Sequence, residues 1–343
     1  MQIMSSNFPL PWHDPDWMRQ AHEWIHAETR RQSIQVTGDI EQPHLYPWST
    51  VLHVPTNEGK LFFKATAPET MFEVPLTRRL AEWFPDRMPE LAAVDLERGW
   101  MLMRDGGVQL RQSIRPTQDI APWVPVIRLF SELQAGAAQQ MDELLAAGVP
   151  DYRLASLPKL YRQLLADETS LMIGQEKGLT TNDLQRLRGM ATRFEQICAE
   201  LAAYGIPESV NHGDFHDGNV LVRDGRIAII DWADACLSHP FMSLRTFFVS
   251  IEISLKLDDY VFTPEMAALL DHYLEAWQDY GSIEHLRSAY QVSKPVASIV
   301  KAVNWHLTIS NIQDDALRAE YAWIVPELFR EFLYHESRLA QGS

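Results

Sequence analysis

The chain has 343 residues, of which 46% are apolar, so it can bury one large core or two medium ones. Charged residues make up 22% of the sequence, a share that argues against extensive disorder. The 46 acidic residues outnumber the 30 basic ones, and the net charge of -16 disfavours non-specific binding to nucleic acid. This balance is compatible with a cationic substrate, although the overall charge does not define any pocket.

The sequence predicts neither a disulfide framework nor a targeting segment. Cys198 and Cys236 are far apart in apolar surroundings, which predicts buried thiols. The beginning of the chain, MQIMSSNFPLPWHDPDW, lacks the basic and apolar regions of a secretory signal. The most apolar window, Phe241–Leu255, contains Arg245 and Glu252 and fails as a membrane span. We therefore expect a cytoplasmic protein that binds no membrane.

The first hundred residues predict a small sheet with one inserted helix. Apolar spacing indicates an amphipathic helix from Asp14 to Arg31. Two strands that flank the turn segment Pro55–Gly59 predict an antiparallel hairpin. Apolar residues at helical spacing predict a second helix over Glu69–Phe84, and Pro85 ends it. The predicted strands of this region are Trp48–Val54, Lys60–Ala65, Leu91–Val94 and Gly99–Met103.

Beyond the linker Asp105-Gly106-Gly107 the pattern becomes helical. We therefore predict a β-rich region over residues 1–104 and a helical region over residues 105–343, which is an α+β, two-lobed architecture. Within the helical region, only Val210–Asn211 and a hairpin at Val220–Ile230 have the pattern of strands. The predicted helices are Trp123–Ala147, Leu157–Ile173, Thr181–Tyr204, Phe241–Leu255, Pro264–Tyr280, Ile283–Asn311 and Val325–Leu339.

The hairpin places two polar side chains at its open end. Asp224-Gly225 is a strong turn signal, and the apolar runs on either side predict buried strands. Asn219 precedes the first strand and Asp231 follows the second. A two-residue loop pairs Asn219 with Ile230, whereas a three-residue loop pairs it with Asp231. Either register brings the two side chains within about 5–6 Å, and their oxygen atoms suit Mg²⁺.

The loop before the hairpin carries a candidate base. Asp214 lies five residues before Asn219, so the pattern H-x-D-x-x-x-x-N followed by a later Asp repeats the spacing of a kinase catalytic loop. Phosphoryl transfer needs a carboxylate that accepts the proton of the attacking hydroxyl, and it needs Mg²⁺ beside the phosphates. Asp214 fits the first role, while Asn219 and Asp231 fit the second. His212 is expected to orient the catalytic loop by hydrogen bonding.

The segment HGDFHDGN at residues 212–219, followed by Ile230-Asp231-Trp232, resembles the signature of aminoglycoside phosphotransferases and choline-kinase-like enzymes. The resemblance implies a protein-kinase-like fold, ATP with Mg²⁺, and phosphorylation of a hydroxyl on a small molecule. The matching motifs cover about 25 residues, and the lobe order matches over the whole chain. The acceptor is an aminoglycoside-, choline- or sugar-like alcohol on this basis, and its identity stays open.

The same resemblance implies a lysine that contacts the α- and β-phosphates and a helix glutamate that holds it. Lys64 matches the lysine, and Glu73 matches the glutamate, with Glu69 as the alternative. Met103 belongs to the segment that matches the hinge beside the adenine. No glycine-rich loop precedes Lys64, so the hydroxyl of Ser49, or that of Thr50, is a candidate contact for the phosphates.

A second departure from the family pattern follows Asp231, where Ser238 and Ser243 stand in place of two acidic residues and Pro240 is kept. Those acids look structural in the family, so their loss does not exclude catalysis. Trp305 and His306 lie on a predicted helix that could face a substrate, but core packing is the preferred interpretation.

Three other functions compete with the small-molecule kinase. The first is a catalytically silent, kinase-like module that only binds nucleotide, and the missing glycine loop favours it. The second is a Zn²⁺ hydrolase built on His212 and His216, which lacks a matching third and fourth ligand. The third is a protein kinase, which the H-G-D-x-H form of the loop and the absence of an activation segment disfavour.

Overall fold

The structure is a computed structural model, and it describes residues 10–341. Part of the N-terminal segment discussed above, residues 1–9, lies outside this range. The contacts within the chain define two compact units. The β-rich unit holds the described residues up to Val108 together with Val220–Ala233 and Ile312–Leu317, and the helical unit holds the rest. Val220–Ala233 is thereby grouped with the N-terminal residues, whereas the sequence analysis assigned it to residues 105–343.

Of the ten strands in the described range, seven fall at or near the predicted segments and three short strands are additional. The strands are β1 (Glu41–Leu45), β2 (Ser49–Thr56), β3 (Gly59–Thr66), β4 (Leu91–Asp95), β5 (Trp100–Arg104), β6 (Val108–Gln109), β7 (Ser209–Asn211), β8 (Val220–Arg223), β9 (Arg226–Ile229) and β10 (Cys236–Ser238). The sequence analysis did not predict β1, β6 or β10, because each is short or half-exposed and carries no clear alternation.

Most of the predicted helices begin within two residues of the expected position and several end earlier, while two short helices, over Arg111–Thr117 and Asp315–Tyr321, were not predicted. They are α1 (Pro15–Arg31), α2 (Glu73–Trp83), α3 (Arg111–Thr117), α4 (Trp123–Ala137), α5 (Met141–Ala146), α6 (Leu157–Ala166), α7 (Thr181–Gly189), α8 (Ala191–Ala202), α9 (Ser243–Leu255), α10 (Pro264–Leu274), α11 (Ile283–Asn311), α12 (Asp315–Tyr321) and α13 (Ile324–Ala340). The predicted helix Trp123–Ala147 is divided into α4 and α5, and Thr181–Tyr204 into α7 and α8. No helix within residues 10–341 is both long and apolar enough to span a bilayer.

The main sheet of the β-rich unit is antiparallel, with the strand order β1-β2-β3-β5-β4. Buried residues alternate along β2, whereas β3 is buried throughout Phe63–Thr66, and α1 covers one face of the sheet through Ala21 and Ile25. Trp100 lies at the centre of an aromatic cluster, since the rings of Trp17 and Trp24 approach it edge-on at 5.7 and 5.8 Å. This packing fixes the position of β3 and therefore of the side chains near its end, including Lys64.

The predicted hairpin is present, and its register is that of the two-residue loop. Val220 lies opposite Ile229 in the β8–β9 pair, and Asp224 and Gly225 form the turn with positive φ angles of 50° and 79°. Asn219 therefore lies immediately before β8, and Asp231 lies two residues after the end of β9.

The helical unit is built around α4, α9 and α11, and its core reaches the segment between β7 and β8. Phe215, in that segment, is fully buried and stacks on Phe130 with ring centroids 3.9 Å apart. Trp123 and Phe247 complete this aromatic cluster. Burying an aromatic side chain contributes about 2–3 kcal/mol, so the loop is anchored by its own hydrophobic residue.

The two cysteines are buried free thiols, as predicted.

Candidate active site

The first cluster of site residues lies in the β-rich unit and centres on Lys64. Its ammonium group is 2.6 Å from Glu73 Oε1 and 2.7 Å from Asp231 Oδ1. Glu73 also accepts a hydrogen bond from the backbone N–H of Trp232, at 3.1 Å. Of the two glutamates considered, Lys64 thus contacts Glu73 and not Glu69. A strand, a helix and the segment after the hairpin each supply one charged group to this cluster.

Burial and charge oppose each other at this lysine. Burial lowers the pKa of Lys64, which is only 5% exposed, but the carboxylates of Asp231 and Glu73 outweigh it and hold the pKa above its usual value. Asp231 has a left-handed backbone with φ of 66°, which costs a non-glycine residue about 1 kcal/mol or more.

The connection between β1 and β2 lies in the same unit, where a glycine-rich loop was missing from the sequence. It carries a row of rings instead: His44 is 4.5 Å from Tyr46, which stacks on Trp48 at 5.3 Å. The Thr50 hydroxyl donates to the His44 carbonyl at 2.8 Å, so it is engaged within the connection itself. Ser49, the other candidate, is buried at the start of β2.

Met103, the predicted hinge residue, pairs with Phe62 across β3 and β5 and is partly exposed.

The second cluster lies in the helical unit, on the segment between β7 and β8. Gly213 has a φ of 74°, and a Cβ at this position would collide with the carbonyl of Asp234, so only glycine fits. The buried ring of His212 accepts a hydrogen bond from the Asp214 N–H at 3.3 Å through Nδ1. The Ser243 hydroxyl, one of the departures from the family pattern, accepts from the His212 N–H at 3.1 Å. These contacts orient the loop around Asp214.

The two carboxylate oxygens of Asp214 have different neighbours. Oδ2 is 3.1 Å from His216 Nε2 and 3.4 Å from the amide nitrogen of Asn219. His216 Nδ1 accepts a hydrogen bond from the Gly218 N–H at 2.9 Å, so Nε2 carries the proton that points to Asp214. Oδ1 is 3.5 Å from the ammonium group of Lys301, on α11.

These neighbours keep Asp214 ionised. Burial acts to raise the pKa of the carboxyl group, but Lys301 and then His216 outweigh it and hold the pKa well below its usual range. The side chain is 37% exposed, so a ligand can reach it. An ionised, reachable carboxylate with fixed neighbours can accept a hydrogen bond, and then a proton, from a hydroxyl group.

A buried ion pair anchors the end of the same segment. Asp217 is fully buried and accepts two hydrogen bonds from Arg115 of α3, at 2.7 and 3.0 Å. Arg111 lies 3.3 Å from the same carboxylate and 3.2 Å from His216 Nδ1. Because arginine side chains bind both oxygens of this buried carboxylate, we interpret Asp217 as a structural acid and not as a second base.

The candidate metal ligands have the donor atoms that Mg²⁺ prefers. The amide nitrogen of Asn219 donates to the Asp214 carbonyl at 2.9 Å, which leaves its amide oxygen as the atom for a cation. The Asp231 side chain is 45% exposed. Mg²⁺ is usually held by one or two protein oxygen ligands together with phosphate oxygens and waters, and each of these residues offers an oxygen atom of that kind.

The helical unit also contains a cavity of about 620 Å³. Its volume lies in the usual range for small-molecule sites. Its walls combine aromatic rings with charged groups, four carboxylates against three side chains of Arg or Lys. The charged lining residues are Glu252, Asp259, Glu327, Glu331, Arg245, Lys294 and Arg338. Trp305 lines this cavity and is only half-buried, so the preferred interpretation of core packing is wrong for this residue.

Sequence reasoning missed Lys301, Asp234 and the two arginines that bind Asp217. No short motif links any of them to the loop, because they reach it from α11, α3 and a separate turn. The only available signal was a lysine in the apolar stretch ASIVKAVNW, where a charge is costly unless it is paired.

Comparison with solved structures defines the class of the fold. An ethanolamine kinase of Plasmodium vivax matches with a TM-score of 0.60 at 12% identity, over 96% of this chain and 93% of that one. A choline kinase of Cryptosporidium parvum matches with a TM-score of 0.60 at 16% identity, over 94% and 97%. A spectinomycin phosphotransferase solved with ADP and spectinomycin matches with a TM-score of 0.50 at 12% identity, over 92% and 98%. The predicted protein-kinase-like α+β fold is confirmed.

The phosphotransferase enzyme family matches residues 60–286, which is more than half of the chain. The chain therefore belongs to the phosphotransferase enzyme family. This membership confirms the predicted class of enzyme, a small-molecule kinase. No curated protein matches the sequence.

Proposed function

We propose that the protein transfers the γ-phosphate of ATP, with Mg²⁺, to a hydroxyl group of a small molecule. The observation that carries this proposal is the carboxylate of Asp214, which is partly exposed and held at both oxygens by His216, Asn219 and Lys301. Family membership supplies the class of reaction. In the β-rich unit, the buried ammonium group of Lys64, which is 2.6 Å from Glu73 Oε1 and 2.7 Å from Asp231 Oδ1, supports a second role, the binding of phosphate groups.

In this reaction Asp214 accepts the proton of the acceptor hydroxyl while the oxygen bonds to the γ-phosphorus and the bond to ADP breaks. Lys64 binds the α- and β-phosphates, and Glu73 holds Lys64 in place. Asn219 and Asp231 are the proposed ligands of Mg²⁺, which would neutralise charge on the phosphate oxygens. Ser49 is the proposed hydroxyl contact of the phosphates, and Met103 the proposed neighbour of the adenine.

The acceptor is proposed to bind in the cavity of the helical unit. The cavity lies beside the catalytic segment, because Trp305 lines it and the Lys301 ammonium group is 5.8 Å from the Trp305 ring. Its aromatic rings and its excess of carboxylates over basic groups favour an alcohol that carries an amine. Because ATP is the donor, we also propose that the protein acts in the cytoplasm.

Two measurements test the proposal. Isothermal titration with ATP, in the presence and absence of Mg²⁺, is expected to show Mg²⁺-dependent binding. Incubation with ATP and a panel of amino alcohols, aminoglycosides and neutral sugars is then expected to give one phosphorylated product, identified by the mass of an added phosphoryl group. Failure to bind ATP would overturn the proposal.

The same pair of measurements separates the enzyme from a silent binding module. This alternative is tested because aromatic rings, and not a glycine-rich loop, occupy the connection between β1 and β2. Nucleotide binding without transfer to any acceptor, and without ATP hydrolysis, would favour the module.

A further inference from the structure

Lys301 is a buried lysine in the middle of α11, and its ammonium group is surrounded by oxygen atoms. It donates to the Gly213 carbonyl at 2.8 Å and to Asp234 Oδ2 at 2.8 Å, and it lies 3.5 Å from Asp214 Oδ1. The residue is only 7% exposed. An ammonium group has three N–H donors, and here each of them has an oxygen neighbour.

The surroundings of Lys301 fix the direction of its side chain. Asn304, nearly one turn further along α11, donates to the Asp234 carbonyl at 2.9 Å and so holds the residue that pairs with Lys301. The Trp305 ring lies 5.8 Å from the ammonium group, within the range of a cation–π contact. α11 therefore binds Asp234 twice, once through its backbone and once through its carboxylate.

The free-energy cost of burying the Lys301 charge shows which of its contacts are needed for charge neutralisation. An ammonium group loses several kcal/mol of hydration when it is buried, and only close oxygen partners offset that loss. One carboxylate, that of Asp234, is enough to neutralise Lys301. The additional contacts with the Gly213 carbonyl and with Asp214 lie on the segment that carries the proposed base, and charge neutralisation does not require them.

We propose that Lys301 is a positioning residue for phosphoryl transfer, which holds the Gly213–Asp214 segment from α11 and fixes the direction of the Asp214 carboxylate. This inference rests on the proposed function for its catalytic part. Lys301 restrains Oδ1 of Asp214, while His216 and Asn219 restrain Oδ2. Without Lys301 the carboxylate keeps its position along the chain but loses one of its two restraints.

The test compares two ways of removing the ammonium group. Lys301→Met leaves the Asp234 carboxylate without its partner, so this variant is expected to lose stability as well as activity. The double variant Lys301→Met/Asp234→Asn removes one positive and one negative charge, so the net charge of the site is unchanged. Lys159→Met, an exposed lysine on α6 of the same unit, is the matched control.

The first readout is amide hydrogen exchange in the intact protein without ligands. Exchange at Gly213 and Asp214 is expected to be at least about tenfold faster in the double variant than in the wild type, while the Lys159→Met variant is unchanged. The second readout is the kinetics of phosphoryl transfer to an acceptor found in the panel. We expect kcat to fall by about 100-fold in the double variant, with KM for ATP within about twofold, because a small misplacement of a reacting group has an effect of this size.

The outcomes distinguish positioning from charge compensation. If the double variant recovers both stability and kcat, Lys301 only neutralises Asp234 and the inference is overturned. Unchanged exchange at Gly213 and Asp214 would overturn it as well. Hydrogen exchange needs neither ATP nor an acceptor, so it decides whether Lys301 holds the segment even if the proposed function fails in the binding test.

Discussion

Each of the two units contains one buried lysine with two carboxylate neighbours, and the two lysines differ in what else they touch. Lys64, in the β-rich unit, contacts the carboxylates of Glu73 and Asp231. Lys301, in the helical unit, contacts Asp234 and the proposed base, and it also donates to a backbone carbonyl of the catalytic segment. The first arrangement concentrates charge, whereas the second restrains a loop.

The carboxylates that pair with the two lysines are close to each other in the sequence. Asp231 and Asp234 are separated by Trp232 and Ala233, so one short segment supplies a carboxylate to each lysine. We propose that these similar ion pairs have different functions: Lys64, on a strand, binds phosphate groups, and Lys301, on a helix, holds a loop through its backbone carbonyl. Four predictions test this distinction, beginning with the largest expected effect.

The carboxylate that Lys301 restrains is expected to carry the chemistry. Asp214→Asn keeps the shape of the side chain but cannot accept a proton, so we expect kcat to fall by about 1,000-fold or more. Affinity for ATP with Mg²⁺, measured by titration, should stay within about threefold. Asp224→Asn, the same change on the exposed hairpin turn, is the control. An Asp214→Asn enzyme with normal turnover would remove Asp214 from the reaction.

Lys64 is expected to act on binding rather than on turnover alone. Lys64→Met leaves Glu73 buried without its counter-ion, which should lower the free energy of unfolding by about 3–5 kcal/mol. The double variant Lys64→Met/Glu73→Gln avoids that penalty and should still bind ATP at least about tenfold more weakly, because a charged hydrogen bond to phosphate is lost. Lys60→Met, on the same strand, is the control. Unaltered affinity in the double variant would remove the difference between the two lysines.

The interior of the helical unit is expected to be sensitive to acid. Burial lowers the pKa of His239 to about 3, whereas an unfolded histidine has a pKa near its usual value of about 6.5. The unfolded chain therefore binds more protons as the pH falls below about 6.5, and stability is lost in that direction. Between pH 7 and pH 5 this residue should remove about 2 kcal/mol of unfolding free energy.

The control for this effect is His239→Gln, which cannot be protonated. Its amide oxygen can still accept the hydrogen bond that His239 Nδ1 receives from the Phe241 N–H. Urea unfolding at several pH values is expected to show a shallower loss in this variant than in the wild type. Parallel curves would mean that the buried imidazole is not the titrating group.

Ser49 should have the smallest effect. Loss of one hydroxyl contact with a phosphate is expected to weaken ATP binding by about three- to tenfold, since such a hydrogen bond contributes about 0.5–1.5 kcal/mol. Titration of Ser49→Ala with ATP and Mg²⁺ measures this change. If affinity does not change, the Ser49 hydroxyl does not contact the phosphates.

Local patterns in the sequence were sufficient for much of the fold and for half of the site. The turn at Asp224-Gly225 predicted the β8–β9 hairpin, and the apolar period predicted α11 with its observed bounds. The motif over residues 212–219 predicted the catalytic segment. The family resemblance assigned Lys64 and Glu73, and the structure places the two charged groups 2.6 Å apart. These features depend on neighbours in sequence or on a motif of fixed spacing.

Other features were decided only by tertiary structure. The ends of α4 and α7 could not be read from periodicity, because the apolar pattern continues across both breaks. The register of the hairpin, open in the sequence, was settled by the pairing of Val220 with Ile229. The contact of Lys301 with Gly213 spans 88 residues along the chain. A charged residue in an apolar helical stretch of the sequence indicates that the charge is paired, but only the packed fold determines which oxygen atoms lie close to it.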